Sequence, residues 1–457
     1  MVSIFIKECY SRNGYAIKLR SSYHNLRCNN KQEIRYDMKL LVFSAYYEPE
    51  IAASLYLSTN LYEDMAAFGW EIDLFVPMPT RGVDNKTRRK YKKNKLELKY
   101  DGKLKIHRVS MMKERENTFL RAFRYLILNL AFIWKGLFKK TNLIFVKSTP
   151  PTQGAMAALL KKLKRVPLIY NLQDVFPDSL VNTGLTKKGS IIWRIGRMIE
   201  NFTYRNTDKI IVISKDFKQN IIDKGVPEDK IEVIYNWVDE KAVVPVNKSE
   251  NILYDKYGLD KNKFYITYCG NIGFTQNLDM LVDVAKRLEE YKNIQFILIG
   301  DGAYKAKLKC LISERNVSNI KLLPFQPYKN ISHVFSLGDI GLILSKANVG
   351  QNSVPSKTWS IMSAERFVLA SFDMKSELSS IILEADCGIC VPPDDKEAFK
   401  NAIVELYNNR AMLVEKGRNG RRYILKNLTR EKGTSKYIET IKKVFDNNQY
   451  NNINRGV

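Results

Sequence analysis

The sequence predicts an α/β protein made of two doubly wound parallel-sheet domains that face each other across a cleft. Three observations carry this reading. Short, near-continuous apolar runs alternate with helical patterns, as expected for strands buried on both faces. The alternation lapses near residue 240 and begins again near residue 264. The chain has 457 residues, 45% of them hydrophobic, which is enough for two domains with separate cores.

The elements follow in order. Residues 1–37 lack the apolar stretch of a signal peptide and show no clear periodicity, so they are expected to be an upstream extension of doubtful structure. Leu40–Ala45 reads as a buried strand, Ser54–Phe68 as a helix and Ile72–Val76 as the next strand. Leu143–Val146, Leu168–Asn171 and Ile210–Ile213 continue the sheet, with helices at Gln153–Lys164 and Ser190–Arg205. The stretch 240–258 is polar and weakly patterned, as a linker would be. Strands then recur as "FYITYCG" (264–270), "IQFILIG" (294–300), "IGLIL" (340–344) and "FVLAS" (367–371). The expected division is a first domain over 38–240, a second over 241–428, a terminal helix over 429–447 and a tail over 448–457.

Charge is the unusual part of the composition. Lys and Arg number 74 against 48 Asp and Glu, a formal net charge of +26. That excess points to a polyanionic partner, whether nucleic acid, an anionic membrane leaflet or a phosphorylated substrate. The basic residues are dispersed and match no nucleic-acid-binding motif, which makes that class the weaker one. Two segments interrupt the α/β pattern. Lys86–Lys95 is a basic run, and residues 119–140 have an apolar middle with Arg121, Arg124, Lys135, Lys139 and Lys140 toward the ends. The second pattern suits a helix lying in the headgroup layer of an anionic membrane. No stretch is long and apolar enough to be read as a spanning helix. Six cysteines imply no disulfide framework, and Cys387-Gly-Ile-Cys390 has no second pair to complete a zinc site. Three histidines leave little material for a mechanism that needs a histidine base.

Candidate site residues gather at strand ends. Cys269-Gly270-Asn271-Ile272-Gly273 follows a buried strand, and Gly300-Asp301-Gly302 follows another. Glycines there let the backbone approach a ligand, while Asp301 is equally suited to cap a helix. In "VGQNSVPSKTWSIM" (349–362), Pro355 is expected to begin a helix, with Ser356 and Lys357 in its first turn. Three anion-binding turns on one sheet edge fit a nucleoside diphosphate. Its charge calls for a cation beyond the helix dipole, and Lys357 is placed to supply it. On the first domain, "YNLQDVFPDS" (170–179) follows a buried strand, with Asp174 as candidate and Asp178 as a cap. Glu48 and Glu50 sit on the first strand–helix loop, at the same rim.

Taken together, "FSAYYEPEIAAS", "VKSTPPTQGAMAALL", "LQDVFPDSLVNTGL", "VIYNWVD", "YCGNIGFTQNLD", "LIGDGA", "LPFQP" and "VGQNSVPSKTWSIMSAERFVLAS" resemble the family-4 retaining glycosyltransferases of GT-B fold. The likeness is nearest to the bacterial branch that builds O-antigen, capsule and exopolysaccharide, including N-acetylfucosaminyl transferase-like members. It runs from Met38 to about residue 447. The resemblance implies two Rossmann-like domains, a nucleotide-sugar donor on the second and a membrane-associated, lipid-linked glycan acceptor on the first. It also implies a cytoplasmic protein held peripherally at the inner face of the plasma membrane, and a last helix crossing back between domains. Matching positions imply donor contacts at Gly270, Asn271, Gly273, Gln276, Asp301, Gly302, Phe325, Gln326, Asn352, Ser353, Ser356 and Ser360. Acceptor contacts are implied at Glu48, Glu50, Ala52 and Gln173, with Lys357 and Asp174 as catalytic residues.

The chain departs from the family pattern at telling places. The two family glutamates align with Asn352 and Ser360, and the usual diphosphate-gripping Arg and Lys align with Asn271 and Gln276. Ala52 replaces a glycine, and Gln173 replaces a histidine. Lys357 is then the expected substitute cation. Transfer of this kind is drawn as front-face attack, in which the departing diphosphate takes the acceptor's proton, so neither a metal nor another cofactor is expected. A catalytically weakened relative, a nucleotide-sugar 2-epimerase and a basic nucleic-acid-binding protein are the competing classes.

Overall fold

The computed structural model describes residues 38–50, 55–114, 118–182, 184–347 and 354–454. The upstream extension and the positions of Ala52, Asn352 and Ser353 lie outside the described residues.

The first sheet has eight strands: β1 (Lys39–Phe43), β2 (Glu71–Pro77), β3 (Leu96–Lys99), β4 (Leu104–Val109), β5 (Leu143–Lys147), β6 (Leu168–Leu172), β7 (Lys209–Val212) and β8 (Ile231–Val233). Their spatial order is β3-β4-β2-β1-β5-β6-β7-β8, parallel throughout except where β3 runs antiparallel to β4. The central strands are apolar on both faces because helices cover both. Leu41, Phe43 and Val146 pack to one side with Phe132 and Leu160; Leu40, Val42 and Phe145 pack to the other with Tyr62 and Tyr437. The edge strand β3 escaped the sequence reading because it is short and half-solvated, with Leu96 and Leu98 exposed.

The second sheet has six parallel strands, β9 (Phe264–Asn271), β10 (Ile294–Asp301), β11 (Ile320–Leu323), β12 (Ile340–Leu344), β13 (Phe367–Ser371) and β14 (Gly388–Val391), in the order β11-β10-β9-β12-β13-β14. Its order reverses between β9 and β12. Open sheets of this kind leave a crevice beyond the strand ends at that point. In the first sheet the matching reversal lies between β1 and β5.

The stretch read as a linker is more ordered than its composition suggested. Helix Ile252–Tyr257 forms there, and Val243, Leu253 and Tyr254 are buried in the second domain's core. Asn251 caps the helix, Gly258 ends it in the left-handed region, and the Tyr254 hydroxyl donates to the Leu337 carbonyl at 2.6 Å.

The terminal helix Arg430–Asn454 returns to the first domain, where Tyr437, Ile438 and Ile441 join its core. Arg430 anchors the crossing: its Nη2 lies 2.6 Å from Asp64 and 2.8 Å from Glu63. Across the other side of the cleft, two helix starts exchange acids. The Lys215 amide donates to Glu377 at 2.6 Å, and the Glu377 amide donates to Asp216 at 2.8 Å.

Candidate active site

The donor side is built on β9 and β10. These strands pair in register through Gly270 with Gly300 and Asn271 with Asp301. A Cβ at Gly300 would stand 1.9 Å from the Gly270 carbonyl oxygen, and one at Gly302 would stand 2.3 Å from that of Ile272. These two glycines therefore serve backbone packing of the sheet edge first. Gly270 differs: its φ is +138°, and a Cβ there would meet only the Lys357 Cδ, at 3.6 Å. That is where the wall stays open.

Lys357 faces that opening. Helix Lys357–Ser363 begins at Lys357 itself, with Ser356 as its cap residue and Pro355 one position earlier, so proline precedes the helix instead of starting it. The helix has only seven residues, and its dipole contributes little; the side chain carries the charge. The Lys357 Nζ sits 3.8 Å from the centroid of the Tyr268 ring, and no described residue accepts a hydrogen bond from it. Burial lowers its pKa to about 7, against a small opposing pull from Cys269. The Tyr268 hydroxyl donates to the Asn271 carbonyl at 2.6 Å, which fixes the ring under the ammonium. Tyr268 was invisible to sequence reasoning, where it is one more apolar residue of a strand.

Other donor-side positions divide clearly. Asn271 and Gln276 crowd over Gly273: a Cβ there would lie 2.6 Å and 2.5 Å from their side chains. The Gln276 Oε1 is buried with no hydrogen-bond partner, so a donor group is wanted beside it. Ser360 lies one turn from Lys357 and is half-buried. Phe325 is exposed. Two further donor-side candidates are engaged within the domain. Gln326 is buried, and its amide is spent on the Tyr257 hydroxyl and the Pro324 carbonyl, both at 2.7 Å. Asp301 accepts from the Gly302 amide at 3.0 Å and lies 3.4 Å from Lys305, so it shapes its own turn.

On the facing wall, Asp174 presents an exposed surface within crowded surroundings. Burial raises its carboxyl pKa, opposed by a hydrogen bond from Ser179 and reinforced by Asp178. Its amide donates to the Ser148 hydroxyl at 3.2 Å. Asp178 pairs with Lys224 at 2.8 Å and belongs to the domain's scaffold. The other described acceptor-side candidates are occupied. Gln173 bridges Asn171 at 2.8 Å and Asn236 at 2.9 Å, tying β6 to the interdomain connection. Glu50, expected on an exposed loop, is 4% exposed and accepts from the Thr80 and Arg81 amides at 2.8 and 3.1 Å. Glu48 pairs with Lys99 at 2.7 Å. Val354 packs against cores of both domains, so the segment leading into Lys357 reaches across the crevice toward the Asp174 wall. Among the described residues no cluster of His, Cys, Asp or Glu is arranged to hold a metal ion.

Residues 58–242 match the model of glycosyltransferase family 4, and residues 250–423 match that of glycosyl transferases group 1. The chain is a glycosyltransferase. It is 25% identical over 423 residues to the putative colanic acid biosynthesis glycosyl transferase WcaI of Escherichia coli, covering 89% of this chain and all of the relative. It is 29% identical over 235 residues to the probable glycosyltransferase WbjE of Pseudomonas aeruginosa, covering 51% of this chain and 58% of that one. Among solved structures, this glycosyltransferase superposes on sucrose-phosphate synthase from Thermosynechococcus elongatus with a TM-score of 0.71 at 16% identity, covering 90% and 99% of the two chains. Anabaena HepE, solved in complex with UDP and glucose, gives 0.67 at 15% identity over 89% and 100%. The fold is GT-B.

Proposed function

We propose that this glycosyltransferase moves a sugar, with retention of anomeric configuration, from a UDP-sugar to a lipid-linked glycan acceptor during cell-surface polysaccharide synthesis. The observation that carries the reading is Lys357: a half-buried ammonium with no acceptor, beside the open glycine edge at Gly270. A lysine held this way lacks an anion, and the diphosphate of a nucleotide sugar supplies one. The UDP complex of HepE supports the choice of donor, and the name of WcaI, a putative colanic acid biosynthesis glycosyl transferase, supports the choice of pathway.

In the reaction, the bond from the anomeric carbon to the diphosphate oxygen breaks, and its electron pair leaves with the phosphate. The acceptor oxygen bonds to the anomeric carbon on the same face, and its proton passes to the departing phosphate oxygen. Lys357 stabilises the charge that grows on that oxygen, while Asp174 faces the sugar from the other wall.

The membrane part of the reading rests on a layer of three helices. Thr118–Leu137, Thr152–Lys164 and Ile191–Asn206 pack side by side on one face of the first sheet. Phe123, Leu126, Leu130 and Trp134 form an exposed stripe on the first helix, and Ile191, Ile195 and Met198 are exposed on the third. The three helices carry nine Lys and Arg, of which only Arg124 is fully buried, and one acid, Glu200, which is also buried. Apolar surface ringed by cations suits the headgroup layer of an anionic leaflet. The expected basic run forms helix Asn85–Lys93, none of whose residues is fully buried. Among the described residues no helix is long and apolar enough to cross a membrane.

The test is calorimetric titration of the purified enzyme with UDP and a panel of nucleotide sugars, followed by transfer assays on a prenyl-diphosphate-linked sugar. Binding of UDP with micromolar affinity and transfer with retention are expected. An enzyme that ignores every nucleotide would end the reading.

A further inference from the structure

We propose that Arg88 and Arg124 form a phosphate-binding subsite on the first domain, which takes the diphosphate of the lipid-linked acceptor. The identity of that ligand rests on the function proposed above; the anion site rests on the arginines themselves.

Arg124 is 1% exposed near the start of helix Thr118–Leu137. Its Nε donates to the Met112 carbonyl at 3.1 Å, and its Nη1 and Nη2 have no partner. Arg88 repeats the arrangement: Nη2 donates to the Met111 carbonyl at 2.9 Å and Nη1 is buried and unpartnered. Consecutive carbonyls thus hold two guanidinium groups close to each other. Burial lowers the Arg88 pKa, Arg124 lowers it further by repulsion, and Glu50 opposes both.

The carboxylates nearby do not resolve this. Glu50 is occupied by the amides of Thr80, Arg81 and Tyr47. Glu114 accepts from the hydroxyls of Tyr46 and Tyr125, at 3.1 and 3.3 Å. Among the described residues neither acid hydrogen-bonds to Arg88 or Arg124. Three buried guanidinium nitrogens therefore remain without acceptors, a costly arrangement for an empty protein. A phosphate group, with several acceptor oxygens and up to two charges, matches two neighbouring guanidinium groups with free nitrogens.

Position selects the ligand. Glu50 follows β1, Arg88 follows β2, and Met111 and Met112 follow β4, so the pocket lies beyond the carboxyl ends of the first sheet. Helix Thr118–Leu137 connects it to the exposed apolar stripe. A lipid whose tail enters the bilayer at Trp134 and whose phosphates reach Arg124 would present its sugar toward the crevice.

The experiment uses the full chain. UDP binding is measured first, since its absence would remove the donor reading while leaving the arginine pocket to be titrated in free enzyme. UDP-saturated enzyme is then titrated with inorganic pyrophosphate, with farnesyl diphosphate and with phosphatidylglycerol vesicles. Wild type is expected to bind both diphosphates. Arg88→Gln, at a half-buried site, and Arg124→Lys, which keeps the charge but loses the fork, are expected to weaken that binding at least tenfold. Acceptor KM should rise by a similar factor with donor KM unchanged, and thermal melts confirm that each variant folds. Equal pyrophosphate binding by wild type and both variants would overturn the subsite. Competition by phosphatidylglycerol vesicles, but not by farnesyl diphosphate, would overturn the acceptor assignment in favour of a lipid headgroup.

Discussion

The Lys357 ammonium rests 3.8 Å above the Tyr268 ring, two residues before the glycine that leaves the second domain's edge open. Removing that ammonium while keeping its length tests its role most directly. Lys357→Met is expected to lower kcat by about 100- to 1,000-fold, the size of effect seen when one stabilising group is taken from a developing oxyanion. Acceptor KM should change little. Steady-state kinetics with both substrates varied would check this, and unchanged turnover would remove Lys357 from the mechanism.

The same residue predicts how pH acts. Its pKa falls from 10.5 to about 7 on folding, so between those values the unfolded chain binds the extra proton. Stability of the ligand-free enzyme should therefore rise with pH across that window, and Lys357→Met should flatten the rise. UDP binding has the opposite trend, because the diphosphate needs the protonated form. Affinity should fall by up to about tenfold per pH unit above pH 7, with proton uptake on binding below the ordinary lysine value. Titration calorimetry in buffers of different ionisation enthalpy reads both.

Arg430 holds the crossing helix through Asp64, whose side chain is only 2% exposed. Arg430→Ala strands that carboxylate and should destabilise the enzyme by about 3 kcal/mol. Asp64→Asn should cost less because it leaves no buried charge behind. Urea unfolding of both variants gives the comparison, and equal midpoints with wild type would show the clasp to be idle.

Gly302 has φ +157° and lies against the Ile272 carbonyl. Gly302→Ala should destabilise by about 2 kcal/mol, since a methyl there meets backbone that has no rotamer to change. Gly270→Ala, where the added methyl meets only the flexible Lys357 stem but φ is +138°, should cost about 1–2 kcal/mol through backbone strain alone and weaken UDP binding as well.

Trp134 and Phe138 are 66% and 72% exposed on the helix layer. A double change of both to Glu should reduce sedimentation with phosphatidylglycerol vesicles at least tenfold and leave UDP affinity in solution unaltered. Retained vesicle binding would move the membrane contact elsewhere.

Much of this molecule was readable from the chain. Strands such as Leu40–Phe43 and Ile340–Leu344 are apolar at every position, a local pattern that follows from helices covering both faces of a parallel sheet. The place of Lys357 beside Pro355, after the strand at the sheet's reversal, could likewise be located by counting. What a polar side chain does there could not, because it depends on partners far away in sequence. Gln326 turned out to serve Tyr257, Gln173 to serve Asn236, and Glu50 to serve the Thr80–Arg81 loop, each across 30 or more residues. Tyr268 and Arg124 show the converse. One reads as strand filler and the other as the solvated edge of an amphipathic helix, yet folding places a ring beneath the free ammonium and buries a guanidinium two of whose nitrogens lack acceptors. Periodicity is written into neighbouring residues, whereas burial and hydrogen-bond saturation arise only when distant segments meet.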